Sequence, residues 1–356
     1  MTNNSTDNIL QQDTVLDILH ASIQAGKIPG AQLAVFSDGK INYYEAGNTS
    51  GFNASSPVER STLYDVASLT KVVVTTTLTL IAIQNGKLNF NDKVVTYLPA
   101  FRHPQVTIHH LLTHTSGLSA DDKKYRTVKD KAGMLEFILK KDLEFQTGMH
   151  VEYSDFGFIL LGFILETIYT DLEYAAITKI FAPLGMQSTC FNPHQKGWGN
   201  RCAPSEIQSE RGIIQGFVHD GKAFRMGGVS GNAGLFSNAA DLLKFAMSFL
   251  FETSSILSKE TLDLLKVQQT IGLNLKRTYG WQISDFGVCQ FGNFASPHVL
   301  FHTGFTGASI YIDFDRNAAI VLLSNRFLPD LDNLAIKEVR TRIHDAILSR
   351  IPRAIQ

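Results

Sequence analysis

The sequence predicts an α/β fold of the α+β type. One antiparallel sheet would be built from both chain ends and flanked by helices, with a mainly helical lobe inserted between them. Two observations carry this: β-rich runs with tight-turn signals lie near both termini, and helical apolar spacing fills the middle. The length of 356 residues, with 44% hydrophobic, is enough to bury the large core such a fold needs.

Residues 14 to 24 open the chain with apolar positions at Val15, Leu16, Ile18, Leu19 and Ile23, a short amphipathic helix closed by Gly26. "AQLAVFSDGKINYYEAG" then gives two strands around Asp38-Gly39, a strong hairpin signal. Residues 68 to 85, 107 to 116, 132 to 140, 156 to 169, 172 to 182 and 238 to 251 read as helices. "VLFHTGFTGASIYIDFDRNAAIVLLSNR" reads as two or three antiparallel strands turning at Asp315-Arg316-Asn317, and Leu334, Val339, Ile343 and Ile347 fit a closing helix. The expected division is a sheet domain of residues 1–75 and 235–356 and a helical domain of 76–234, with the active site in the cleft between them.

Composition narrows the function. A net charge of −1 offers nothing to a nucleic acid or an anionic membrane. Cys190, Cys202 and Cys289 are too few for a disulfide scaffold and read as incidental thiols. The longest apolar run, Phe156 to Leu165, is too short to span a bilayer, so no transmembrane segment is expected. No Lys or Arg precedes Lys27 and no apolar leader core follows, so the chain as it stands reads as cytoplasmic, with export only if a leader has been removed. The sequence is silent on oligomeric state.

"YDVASLTKVVVTTTLTLI" sets Ser68 three residues before Lys71, where the chain turns apolar. On a helix the two share a face, and Asp65 or Ser68 can cap the first turn. A serine needs a neighbouring base, and a lysine serves only if desolvation or a nearby positive charge brings it from about 10.4 toward 7, a cost of about 4 kcal/mol. The bland alternative is a capped helix with a snorkelling lysine. Ser37-Asp38-Gly39-Lys40 has the same spacing in a hairpin turn, so the pattern alone is weak.

Two further stretches add weight. Tyr153-Ser154-Asp155 sits at a loop-to-helix junction, where a phenol can project into a cleft and carry protons beside two cations. Otherwise it is a boundary tyrosine with a capping aspartate. In His302-Thr303-Gly304, the glycine would let a substrate backbone lie against a strand edge. Thr303 and His302 would offer a hydroxyl and an imidazole to a substrate carboxylate or to the tyrosine; otherwise this is a strand histidine before a bend.

The order Ser-x-x-Lys, Tyr-x-(Asn/Asp), (Lys/His)-Thr-Gly resembles that of the penicillin-recognising serine hydrolases, which include class C β-lactamases, D,D-carboxypeptidases, D-aminopeptidases and related esterases. "VTIHHLLTHTSGL" and "GGVSGNAGLFSNAADLLKF" are similar to further stretches of that family, so the likeness runs from about residue 15 to 350. The resemblance implies Ser68 as nucleophile, Lys71 as its activating partner and Tyr153 as proton shuttle, with His302 in the catalytic set. It implies an oxyanion hole from the N–H groups of Ser68 and Phe305, substrate contacts from Asp155, Thr303, Gly304 and Phe305, and an acyl-enzyme on Ser68. Neither cofactor nor metal is implied.

Two positions depart from the β-lactamase pattern. Asp155 stands where an amide would donate to a substrate carbonyl, which an ionised carboxylate cannot do. His302 replaces a lysine, exchanging a permanent cation for one that titrates near neutrality.

Other patterns are weaker. His110 and His114 have zinc-helix spacing, but no Glu supplies the protease base, and packing or capping explains the cluster better. No Gly-x-Ser-x-Gly elbow, phosphate loop or dinucleotide fingerprint is present. "MGGVSGNAGLFS" reads as a close-packed loop or a cleft wall, and His219-Asp220 as a loop pair without assigned chemistry.

The expected activity is serine hydrolysis through Ser68 of amide or ester bonds in a small-molecule or peptide substrate: a β-lactam, a D-amino-acid peptide or a small ester. The alternatives are a short-chain carboxylesterase of the same fold and a non-catalytic peptidoglycan-binding or scaffold relative. Substrate choice would lie in the loops around 118–150, 186–235 and 270–300.

Overall fold

Asp38 and Gly39 take φ of 50° and 71°, the pair of positive values that a two-residue hairpin turn requires. Strand β1 (Gly30–Ser37) therefore folds straight back on β2 (Lys40–Gly47), with Ser37 opposite Lys40. The computed structural model describes residues 15–51, 55–251, 256–284, 290–327 and 332–353. Near the other chain end lie β3 (Val299–Thr303), β4 (Ser309–Asp313) and β5 (Ala318–Ser324). All five join one antiparallel sheet in the order β2-β1-β5-β4-β3. The seam between the two chain ends is the β1–β5 pair, with Ala31 opposite Ser324 and Phe36 opposite Ala319.

Five helices position the rest: α1 (15–24), α2 (69–84), α3 (Asp155–Tyr169), α4 (Ala239–Met247) and α5 (Ile336–Leu348). Because side chains alternate along a strand, the sheet feeds two cores. Ala31, Leu33 and Val35 of β1 join Ile320 and Leu322 of β5 beneath α1 and α5. Ala34 and Phe36 join Val321 and Leu323 on the opposite face, with α4 and the helices of the central region. Each buried Val, Leu, Ile or Phe among them contributes about 1.5–3 kcal/mol, enough to hold ends far apart in sequence together. α3 is buried along most of its length and packs against α2.

The middle of the chain also holds short strands. Tyr64–Asp65, Leu235–Ser237 and Cys190–Phe191 make a small antiparallel sheet, and Glu206–Gln208 pairs with Gly212–Ile214. The helix expected over 107–116 covers only Ile108–Leu112, because His114 takes φ 59° and turns the chain back. The helix expected over 238–251 ends at Met247. Leu334 precedes α5 and is exposed. Cys190 and Cys202 are buried free thiols, both pushed up to about 12 by burial; Cys289 lies outside the described residues. Among the described residues no helix is long and apolar enough to cross a membrane.

Candidate active site

The turn that carries Ser68 is strained and braced. Ala67 takes φ 47°, a left-handed conformation costing a non-glycine residue about 1–2 kcal/mol. Asp65 Oδ1 accepts the Ala67 N–H at 2.8 Å, Thr70 Oγ1 donates to the Ala67 carbonyl at 2.6 Å, and Val66 N–H donates to Leu235. Asp65 thus caps the turn, and Ser68 is left half-buried at the entry to α2. The π-helical segment Lys71–Thr76 follows, and Lys71 is fully buried at its start.

Lys71 Nζ donates to Ser68 Oγ at 3.0 Å, to Asp155 Oδ1 at 2.7 Å and to the Asn232 carbonyl at 3.2 Å. The ammonium is dry, as the Ser-x-x-Lys reading requires, but it is not neutralised. Burial, the largest influence, favours the neutral amine; the Asp155 carboxylate and the Tyr153 phenol outweigh it and hold Lys71 above its usual value. This corrects the expectation of a deprotonated base, and the physical reason is the carboxylate at 155. That carboxylate does not stand free to face a substrate. Its second oxygen lies 3.0 Å from Lys222 Nζ. Burial alone would raise Asp155, yet Lys71 and Lys222 together hold it at about 2. Lys222 is buried too, 2.9 Å from Asp121 and 3.7 Å from Asp220. The capping residue of α3 is Ser154, whose Oγ accepts the Gly157 N–H and donates to Ser119, so Asp155 is free to bridge the lysines.

The Tyr153 ring lies 4.8 Å from Lys71 Nζ and packs on His114, 4.6 Å between centroids. His114 is buried, and its Nδ1 accepts the Ser154 N–H. The ring of His302 lies 6.0 Å from that of Tyr153. His302 is buried, and burial together with the charges of Arg277 and Lys71 pushes it well below the usual histidine range. It is a neutral imidazole, not the cation titrating near neutrality that the sequence suggested.

At Gly304 the strand end meets the turn that carries Ser68: a Cβ there would lie 2.4 Å from the Val66 carbonyl oxygen. Thr306 Oγ1 donates to the Asp65 carbonyl at 2.7 Å, closing the same contact. Thr303 is half-buried at the end of β3, and Phe305 follows with its side chain exposed.

Ser68, Lys71, Tyr153, Asp155 and His302 therefore converge from α2, the start of α3 and β3. Three participants escaped the sequence reading. Lys222 was visible only as the tail of "VHDGK". Arg277 follows Lys276 in a loop that matches no motif, and the Asn232 carbonyl carries no side-chain signal. The small-residue stretch 226–237 packs closely: a Cβ on Gly231 would strike the Phe158 carbonyl at 2.1 Å. His219 and Asp220 are structural. The His219 N–H donates to Asp65 Oδ2 and its ring pairs with Glu206, while Asp220 caps the helix Gly221–Arg225. His110 caps its own helix with Thr107.

The model of the β-lactamase family matches residues 15–341. The chain belongs to the β-lactamase family. This family member is 33% identical over 346 residues to a protein of Escherichia coli (strain K12) named putative D-alanyl-D-alanine carboxypeptidase, covering 84% of this chain and 78% of that one. It is 31% identical over 368 residues to a Bacillus subtilis (strain 168) protein named N-acetylmuramyl-L-alanine amidase, covering 90% and 82%. In fold it is similar to EstCE1, a hydrolase with promiscuous acyltransferase activity, with a TM-score of 0.79 at 20% identity over 97% of this chain and all of that one. This member of the β-lactamase family is a serine hydrolase.

Proposed function

We propose that the enzyme works through an acyl-enzyme on Ser68 and cleaves amide or ester bonds of D-amino-acid peptides, β-lactams or small esters. The observation that carries this is the buried Lys71 ammonium donating to Ser68 Oγ at 3.0 Å. A cation so placed stabilises negative charge growing on Oγ as it attacks a carbonyl carbon. Tyr153 accepts the Ser68 proton and hands its own to the leaving group, so the phenol ends the step neutral. The N–H groups of Ser68 and Phe305 receive the carbonyl oxygen, each donor worth about 3–4 kcal/mol in the transition state. Water then attacks the ester on Ser68 by the reverse proton path.

A short-chain esterase reading has support of its own. Asp155 spends both oxygens on lysines and offers no donor to an acylamide group, a contact that simple esters do not need. Incubation with a fluorescent penicillin or a fluorophosphonate, followed by peptide mass spectrometry, tests the shared step. Label on Ser68, lost in Ser68→Ala together with p-nitrophenyl ester turnover, is expected; label elsewhere rejects it. Relative rates on D-Ala-D-Ala peptides, nitrocefin and short esters separate the substrate readings.

A further inference from the structure

Arg277 is a buried cation without a carboxylate. Its side chain is 2% exposed, and among the described residues no ion pair reaches it. One guanidinium nitrogen donates to the Gly280 carbonyl at 3.1 Å, while Nε is buried without a hydrogen-bond partner. Burial pulls it down to about 10, so it stays charged at neutral pH. An uncompensated buried charge is expensive, so what stands next to this one matters. The guanidinium carbon lies 5.7 Å from the centre of the Tyr153 ring. Four other titratable groups gather round that phenol: Lys71 from α2, His114 from the turn before 115, Asp155 from α3 and His302 from β3. His114 and His302 are neutral, and Asp155 already has its two lysines. Tyr153 is the remaining group that can turn negative. Trp281, from the same segment as Arg277, meets His302 edge to face, which ties the segment to β3.

We propose that Arg277 is a positioning residue for Tyr153, supplying positive charge beside its ring from the 277–281 segment and steadying negative charge on the phenol oxygen during proton transfer. This rests on the Ser68 acyl-enzyme reading. Being almost wholly enclosed, Arg277 is not open to a substrate carboxylate, so its effect extends to uncharged substrates.

The test is a double-mutant cycle on p-nitrophenyl butyrate, which carries no carboxylate. Arg277→Gln should lower kcat about tenfold or more with little change in KM. Arg277→Lys should restore part of the loss. In a Tyr153→Phe background, Arg277→Gln should cost nothing further. Equal losses in both backgrounds, or an unchanged kcat in Arg277→Gln, overturn the proposal. If the Gln variant does not fold, the cycle is run with Arg277→Lys. A loss that vanishes in the Phe background supports the proposal, and a persisting loss or none overturns it. Ser68→Ala in parallel keeps the two readings apart: activity surviving there rejects the acyl-enzyme, whereas its disappearance with an additive cycle rejects only the role of Arg277.

Discussion

A single carboxylate, Asp155, balances two buried ammonium groups, Lys71 at 2.7 Å and Lys222 at 3.0 Å. An amide at 155 would leave the lysines facing each other's field without that charge, and only Lys222 has other carboxylates near it. Removing one member of a buried charge set costs about 3–5 kcal/mol, because the remaining charge is left uncompensated. Asp155→Asn should therefore lower urea stability by about that amount, and adding Lys222→Met should recover most of it. Wild-type stability in the single variant would show that the lysines are not held by this charge. The same variant frees Lys71 from its strongest ally against burial, so it should move toward the neutral form. Its rate profile should then lose activity on the alkaline side, where the ammonium beside Ser68 gives up its proton. Placing an Asn at 155 is thus no simple gain in this chain, since Lys222 is paired with the aspartate.

At the scale of elements, the end of β3 is pressed against the turn before Ser68, and Gly304 makes that possible. Gly304→Ala must displace either the strand end or Val66, since a Cβ would sit 2.4 Å from a backbone oxygen. A shift of about 1 Å at a catalytic group can cost 100-fold in rate. The variant should lose about that in kcat while its melting temperature moves only a few degrees; unchanged kcat would separate this contact from catalysis. Elements whose signals are local were legible in the sequence. Asp38-Gly39 names its own turn, and the short apolar runs of β3, β4 and β5, divided by turn residues, name their strands. The break at His114 was not legible, because "IHHLLTH" keeps helical spacing while the chain is pulled away by Glu152 N–H bonding the His114 carbonyl and Ser154 N–H bonding its ring. The site divides in the same way. Ser68 and Lys71 are three residues apart and show as a motif, whereas Lys222 and Arg277 meet Asp155 and Tyr153 only through the fold.

For the whole molecule, the distribution of neutral histidines sets the response to acid. His114, His302 and His344 are fully buried; burial and nearby cations push all three below their usual value, His344 to about 3. His109 and His110 are lowered less completely buried. Unfolded, each histidine takes up a proton near 6.5; folded, the three buried ones do not. Below that point the unfolded state binds more protons, so stability falls as pH falls. Once the unfolded forms are charged, the slope approaches about 1.4 kcal/mol per pH unit for each histidine, or about 4 for the three together. Asp155, held at about 2, keeps its contribution until pH drops below the ordinary carboxylate value near 3.8, so it adds to the loss only between about 4 and 2. Asp65 acts the other way. Burial raises it, so it takes up a proton in the folded state first and offsets part of the loss in acid. The expected curve is therefore flat above about pH 7.5, declines from about 6.5, and is steepest between 5.5 and 4.5, before most carboxylates titrate. Thermal unfolding at constant ionic strength from pH 8 to 4.5 measures it directly. A melting temperature that holds level from 7.5 down to 5 would mean that the buried imidazoles, His114 and His302 beside Tyr153 among them, are already charged in the native protein, and the electrostatic picture of the site would have to be redrawn around them.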